Sequence, residues 1–198
     1  MKLKRAPRQT PERPSIELLE QEVLRERYRR RYRSVLKSTI YVLITVAAVA
    51  VLVATLWLPV MQTYGSSMAP TLNNGEIIFS VKTQTPERGD IIAFYYNNKV
   101  LVKRVIGLPG DWVEVLEDGT VYLNGQLLSE PYITERSFGN ADIEFPCQVP
   151  DGKYFVMGDH RATSADSRHT VVGCIGSDQI VGRILFRVWP LEGFGPIE

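Results

Sequence analysis

The chain has 198 residues, with 23 Lys/Arg against 22 Asp/Glu, two cysteines and two histidines. That length holds one ordinary domain and an appendage, and with no CxxC pair and only His160 and His169, no metal site is expected. The net charge of +1 conceals an asymmetry: residues 1–37 carry 12 Lys/Arg and 5 Asp/Glu, a net of +7, while residues 38–198 carry 11 and 17, a net of −6.

Residues 1–14 hold Pro7, Pro11 and Pro14 among polar and charged residues and are expected to be unstructured. Ser15 to Lys37, rich in Glu, Leu and Arg, reads as a helix that runs on into the next segment. Residues 1–37 thus form a basic, partly helical arm. From Ser38 to Gly75 no residue is charged, and Ile40 to Val60 is 21 residues of nearly unbroken apolar character. As a helix rising about 1.5 Å per residue, that stretch is roughly 31 Å long, the thickness of a bilayer's hydrocarbon. Thr45 and Thr55 can bond back to the helix backbone, Trp57 suits a membrane–water interface, and Pro59 suits the helix exit. A buried core helix would not be apolar on every face at this length, and a cleavable signal sequence has an apolar part of only about 7–15 residues. Residues 38–60 are therefore expected to be a retained single-pass anchor in a plasma membrane.

Arg25, Arg27, Arg29, Arg30, Arg31 and Arg33 precede the anchor. Basic residues near a span favour the cytoplasmic side, which puts the N-terminus inside and residues 61–198 outside. Anionic lipid headgroups account for such an arm more simply than nucleic acid does, so the bilayer is an expected partner and nucleic acid is not.

Residues 61–198 change character. Apolar, β-branched runs are short: Glu76–Val81, Asp90–Tyr96, Val100–Ile106, Trp112–Leu116, Thr120–Leu123, Lys153–Met157 and Gln179–Trp189. Turn signals separate them, among them Asn73-Asn74-Gly75, Asn97-Asn98, Pro109-Gly110, Glu117-Asp118-Gly119 and Asn124-Gly125. This predicts a mainly β, antiparallel domain on a single N-terminal transmembrane helix. Cys147 and Cys174 both fall in this outer part; an oxidising compartment permits a disulfide, and two buried free thiols are the alternative. Whether residues 126–150 form an inserted cap or a plain connection is open at this level.

Three polar segments carry candidate chemistry. Gly65-Ser66-Ser67-Met68-Ala69-Pro70-Thr71-Leu72 follows the anchor. Lys103 to Asp111 continues the run Val100-Leu101-Val102, where period-two alternation sets Leu101, Lys103 and Val105 on one face and Val102, Arg104 and Ile106 on the other. One of the two adjacent cations is thus expected to point inward. A lysine there loses solvation of its charged form, and its lowered pKa suits it to take a proton from a serine. The third segment, Gly158 to Arg168, can order itself by Asp166–Arg168 or Asp159–Arg pairing and orient a neighbouring amine through Ser164.

These segments, together with Gly89-Asp90-Ile91-Ile92-Ala93-Phe94, resemble the bacterial type I signal peptidases, the Ser–Lys proteases that cleave leader peptides. The resemblance spans about residues 38–190 and implies roles residue by residue. Ser67 would be the nucleophile and Lys103 the base, with no cofactor. Ser164 would hydrogen-bond the lysine amine, and Asp166, with Arg168 and Asp159, would hold the loop. The Ser67 N–H would donate to the oxyanion. Some relatives place a hydroxyl donor two residues before the nucleophile; Gly65 stands there instead, as among Gram-positive members, so the second donor is backbone or water. The implied substrates are signal peptides of exported preproteins, with small residues first and third before the cut. Such a peptide would lie as an added strand between a segment near Gln62 and Tyr64 and one near Val100 and Val102.

Three rival readings remain at this level. In a Ser–His protease the base would be His160 or His169. A dedicated processing protease would act on a narrow set such as pilins. A non-catalytic anchored module would lack the serine or the lysine.

Overall fold

The computed structural model describes residues 15–57 (backbone alone over 54–57), 60–83 and 85–197. The proline-rich start, Pro59, and the side chains of Thr55 and Trp57 lie outside the described residues. The chain divides into two units, one ending at Leu52 and the other beginning at Val53.

The first unit is built on helix α1, which runs Ile16–Trp57 without a break. No Pro or Gly falls inside it, so nothing removes a backbone donor or loosens a turn. At its start Leu18 N–H donates to Ser15 Oγ at 3.4 Å, a modest N-cap. Further on, the hydroxyls of Thr39 and Thr45 donate to the carbonyls of Val35 and Tyr41, so both are satisfied within the helix. Ile40, Val42, Leu43, Ile44, Val46 and Val49 are all exposed, and this is the one helix among the described residues long and apolar enough to cross a membrane. The arm helix does continue into the apolar stretch, as expected.

The second unit is antiparallel β. In chain order its strands are β1 (Val60–Gln62), β2 (Ile77–Val81), β3 (Ile91–Tyr96), β4 (Lys99–Gly107), β5 (Trp112–Val115), β6 (Val121–Leu123), β7 (Gln126–Leu127), β8 (Cys147–Gln148), β9 (Lys153–Met157), β10 (Ile175–Gly176), β11 (Ile180–Trp189) and β12 (Gly195–Pro196). The larger sheet orders them β1-β2-β11-β3-β4-β9-β10, with β12 on β11; the smaller runs β7-β6-β5-β8. Each strand expected from the short apolar runs is present, its ends moved by at most one residue. Those not expected (β1, β7, β8, β10, β12) have two or three residues, too few for a period of two to show.

Local chemistry explains the hairpins. Asn124 and Gly125 take φ of 53° and 78°, the left-handed pair that a two-residue turn between β6 and β7 needs. Gly119 has φ of 82°, and a Cβ there would lie 2.2 Å from the Ser137 nitrogen, so the β5–β6 turn requires glycine twice over.

Three apolar clusters fill the domain. Ile106, Val113, Val115, Val121, Phe155 and Met157 join the two sheets. Ile92, Phe94, Val105 and Val156 form a second cluster with Leu101 packed against it. Met68, Leu72, Ile78, Ile91, Ala93 and Ile184 form the third, with Val102 alongside. Strand β4 therefore meets apolar partners on both faces, and this decides the fate of its two cations.

Candidate active site

The turn that carries Ser67 is pinned to the sheet by its own neighbours. Met68 and Leu72 are 4% and 2% exposed, sunk into the third cluster, and burying side chains of this size stabilises by about 1.5–3 kcal/mol each. Leu72 N–H donates to the Met68 carbonyl at 2.8 Å and Ala69 N–H to the Ser66 carbonyl at 3.0 Å. From the third polar segment, His160 N–H donates to the Ser67 carbonyl at 3.1 Å. Ser67 is thus clamped on both sides in sequence, with its hydroxyl free to face β4.

On β4, Lys103 lies opposite Ile92 of β3 and is 3% exposed. Its Nζ sits 2.6 Å from Ser67 Oγ. Burial draws the Lys103 pKa down from 10.5 to about 8; the carboxylates of Asp166 and Asp159 push it back up, and the Arg168 guanidinium pushes it down. By strand alternation one of Lys103 and Arg104 is expected to point inward. In fact both are buried, Arg104 at 2% exposure, because the sheet is covered on each face.

Arg104 is stabilised differently. Its Nε and Nη2 donate to the two oxygens of Asp159 at 3.0 and 2.8 Å, and its Nη1 donates to the Gly89 carbonyl at 2.9 Å. Thr71 donates to the same Asp159 carboxylate at 2.5 Å. The guanidinium also stacks 3.9 Å over the Tyr132 ring, a cation–π contact. A second pair lies close by in sequence: Arg168 Nε and Nη2 donate to Asp166 at 2.9 Å each, and Asp166 accepts the Gly158 N–H at 2.9 Å. A third joins Arg161 to Glu130 at 2.5 and 3.0 Å. The Asp166–Arg168 pairing within the loop is as expected, whereas Asp159 pairs not with an arginine of its own loop but with Arg104 of β4. Thr71, Glu130, Tyr132 and Arg161 were not singled out, since their partners are far away in sequence.

Two further expectations meet a different geometry. Ser164 Oγ is buried and has no hydrogen-bond partner among the described residues, so the implied bond to the Lys103 amine is not formed here. It packs instead against Gly158, where a Cβ would lie 2.2 Å from Ser164 Oγ and 2.4 Å from the Ser67 carbonyl oxygen. Only glycine permits that approach. Gly65, two residues before Ser67, takes φ of 91° and gives its N–H to Asn74 Oδ1 at 3.0 Å, so that donor is already engaged.

A groove of about 620 Å³ opens beside the Ser67–Lys103 pair. Met61, Met68, Leu72, Ile78, Val100 and Val102 make it mostly apolar. Gln62 and Tyr64 line it as well, tied together by the Tyr64 hydroxyl donating to Gln62 Oε1 at 2.9 Å. Both walls offer backbone: among the described residues β1 pairs only with β2, and β4 pairs with β9 only from Arg104 onward, which leaves one edge of residues 99–103 unpaired. Gln62, Tyr64, Gly65, Ser67, Val100, Val102 and Lys103 are thus brought to one groove. Ser164, Asp159, Asp166 and Arg168 lie in the buried loop network behind it.

Elsewhere, Cys147 and Cys174 are free thiols. Burial pushes both pKa values up, Cys147 to about 11. Residues 126–150 are an integral part of the fold: they give β7 and β8 to the smaller sheet and pack Phe138, Ile143 and Phe145 on its core. Among the described residues no group of His, Cys, Asp and Glu could hold a metal ion.

Comparison with known proteins places the chain. The family described as Signal peptidase, peptidase S26 matches residues 36–189. Signal peptidase IB of Staphylococcus aureus (strain Mu50) is 40% identical over 151 residues, covering 66% of this chain and 77% of that protein. Signal peptidase I of Bacillus licheniformis is 41% identical over 141 residues, covering 65% and 75%. A crystal structure of a signal peptidase I from Enterococcus faecalis V583 aligns at 36% identity and a TM-score of 0.41, over 50% of this chain and 96% of that one.

Proposed function

The chain belongs to the signal peptidase S26 family and removes signal peptides from preproteins; on that premise we propose that Ser67 is its nucleophile and Lys103 its general base. The observation that carries this reading is the 2.6 Å contact between Ser67 Oγ and an amine whose pKa burial lowers to about 8. A useful fraction of such an amine is neutral near pH 7–8, whereas an ordinary lysine is almost wholly protonated there.

In the proposed reaction the neutral Lys103 amine takes the Ser67 hydroxyl proton as Oγ attacks the scissile carbonyl. The Ser67 N–H donates to the developing oxyanion. The lysine proton then passes to the departing amine, leaving an acyl ester on Ser67. Lys103, neutral again, takes a proton from the water that cleaves this ester. Ser164, whose Oγ is buried and unpartnered, would hold the amine in place during these transfers. Asp166, Arg168 and Asp159 support the loop and set the charge around Lys103.

The residues before the cut would lie as a strand in the groove, between Gln62 and Tyr64 on one wall and Val100 and Val102 on the other. Its apolar lining suits small side chains. Residues 38–60 would anchor the enzyme in a bacterial plasma membrane as a single span. The basic arm, residues 1–37, would then be cytoplasmic, with the catalytic domain, 61–198, outside.

Preprotein cleavage by the full chain in detergent tests the dyad. Ser67→Ala and Lys103→Ala are each expected to abolish it, while His160→Ala and His169→Ala keep most of it. Cleavage surviving in either of the first two variants would remove Ser67 or Lys103 from the chemistry.

A further inference from the structure

The groove carries a charge that the proposed reaction does not use. Two lysines line it, Lys103 beside Ser67 and Lys99 at the start of β4, and no carboxylate does. Lys99 forms no ion pair among the described residues and is exposed. It lies four residues before Lys103 on one strand, so both side chains leave the same face, about 13 Å apart at a rise of about 3.3 Å per residue. A peptide strand beside residues 99–103 would present to Lys99 a side chain about four residues from the one at Lys103.

We propose that Lys99 is a specificity-determining residue, which favours an acidic side chain four to six residues before the cut and disfavours a basic one. This rests on the reading that the groove holds the residues preceding the scissile bond. Along β4, Val100 and Val102 lie between the two lysines with their side chains on the strand's other face, where small residues first and third before the cut would sit. Lys99 then faces the stretch just upstream of them. A carboxylate there pairs with an otherwise unpartnered ammonium beside an apolar wall. A substrate lysine meets like charge, with no groove carboxylate to relieve it. For an exposed pair of this kind the expected preference is modest, about threefold between acid and base, and salt should screen it.

The test uses the full chain in detergent and peptides with alanine first and third before the cut. Asp, Gln or Lys is placed in turn at the fourth, fifth and sixth positions. In the wild type kcat/KM should favour Asp over Lys about threefold at one of these positions in low salt, the ratio falling towards one in 0.5 M salt. Lys99→Gln should bring the ratio close to one, and Lys99→Glu should invert it. A ratio of one in the wild type, or a wild-type ratio retained in both variants, overturns the proposal and leaves the groove reading intact. A control series with leucine in place of alanine at the first or third position checks that reading. Cleavage of the leucine peptides as fast as the alanine ones would remove both.

Discussion

Lys103 and Arg104 are neighbours on one strand, 3% and 2% exposed, yet their charges are met in opposite ways. Arg104 has a bidentate carboxylate, a backbone carbonyl and an aromatic face. The Lys103 amine contacts a serine hydroxyl and keeps its carboxylates at a distance, near enough to act through charge alone. A buried cation with a matched partner stays charged; one without it shifts its pKa instead. The difference separates scaffold from chemistry within two residues. The Arg104 side of the strand is satisfied and rigid, while the Lys103 side is left short of partners, as a proton acceptor must be.

The largest effect expected from breaking this contrast lies on the satisfied side. Asp159→Ala leaves Arg104 buried without its carboxylate, and removing one partner of a buried pair costs about 3–5 kcal/mol. Chemical denaturation of the full chain in detergent should read this loss. Asp159→Asn, which keeps one acceptor oxygen but loses the charge and turns the other oxygen into an N–H donor, should fall between. A loss below about 1 kcal/mol for the alanine variant would mean that Arg104 is not held by this pair.

How much of the contrast was legible beforehand follows from the range of the interactions. Strands are written as short apolar, β-branched runs between turn residues, so β2 to β6, β9 and β11 could be read directly, and the three residues of β1 at the end of the apolar stretch could not. Ser67, Lys103, Asp166 and Arg168 stood in motifs whose order carried the resemblance. The joint burial of Lys103 and Arg104 was not legible, because it depends on what covers the second face of β4. That cover includes Tyr132, whose only sign in the sequence is an aromatic residue in a stretch without periodicity. Glu130 and Arg161 pair across 31 residues, and no local pattern announces such a partner. The hold of Asn74 on Gly65 is equally silent, since Asn73-Asn74-Gly75 reads simply as a turn.

The next effect concerns pH and isolates Lys103. Its folded pKa of about 8 lies below the unfolded 10.5. Between these values the unfolded chain holds a proton that the folded one has released. More protons bound in the unfolded state means that stability rises with pH across this window. Below about pH 8 both states are protonated and the full cost of burying the charge is present, about 3 kcal/mol by this shift. Measured as the difference between wild type and Lys103→Met, which cancels other titrations, stability should climb from pH 8 to 10.5. The kcat/KM of the wild type should instead rise below about pH 8, as the folded amine loses its proton, and level above it. A flat stability difference would show that the lysine is not desolvated as its burial implies.

The smallest effect is the most discriminating, because it asks whether an unsatisfied group is retained for function. Ser164 Oγ is buried with no hydrogen-bond partner among the described residues, 8% exposed as a residue, and packed on Gly158. A buried hydroxyl without a partner contributes nothing to the fold and costs its desolvation, so Ser164→Ala should leave stability unchanged or raise it by up to about 1 kcal/mol. If the hydroxyl holds the Lys103 amine during proton transfer, the same variant should lower kcat while KM stays nearly constant. Gain or neutrality in denaturation together with loss in kcat is the expected pair. A stability loss above 1 kcal/mol would put Ser164 with Asp159 on the structural side of the contrast, and an unchanged kcat would separate it from Lys103 altogether.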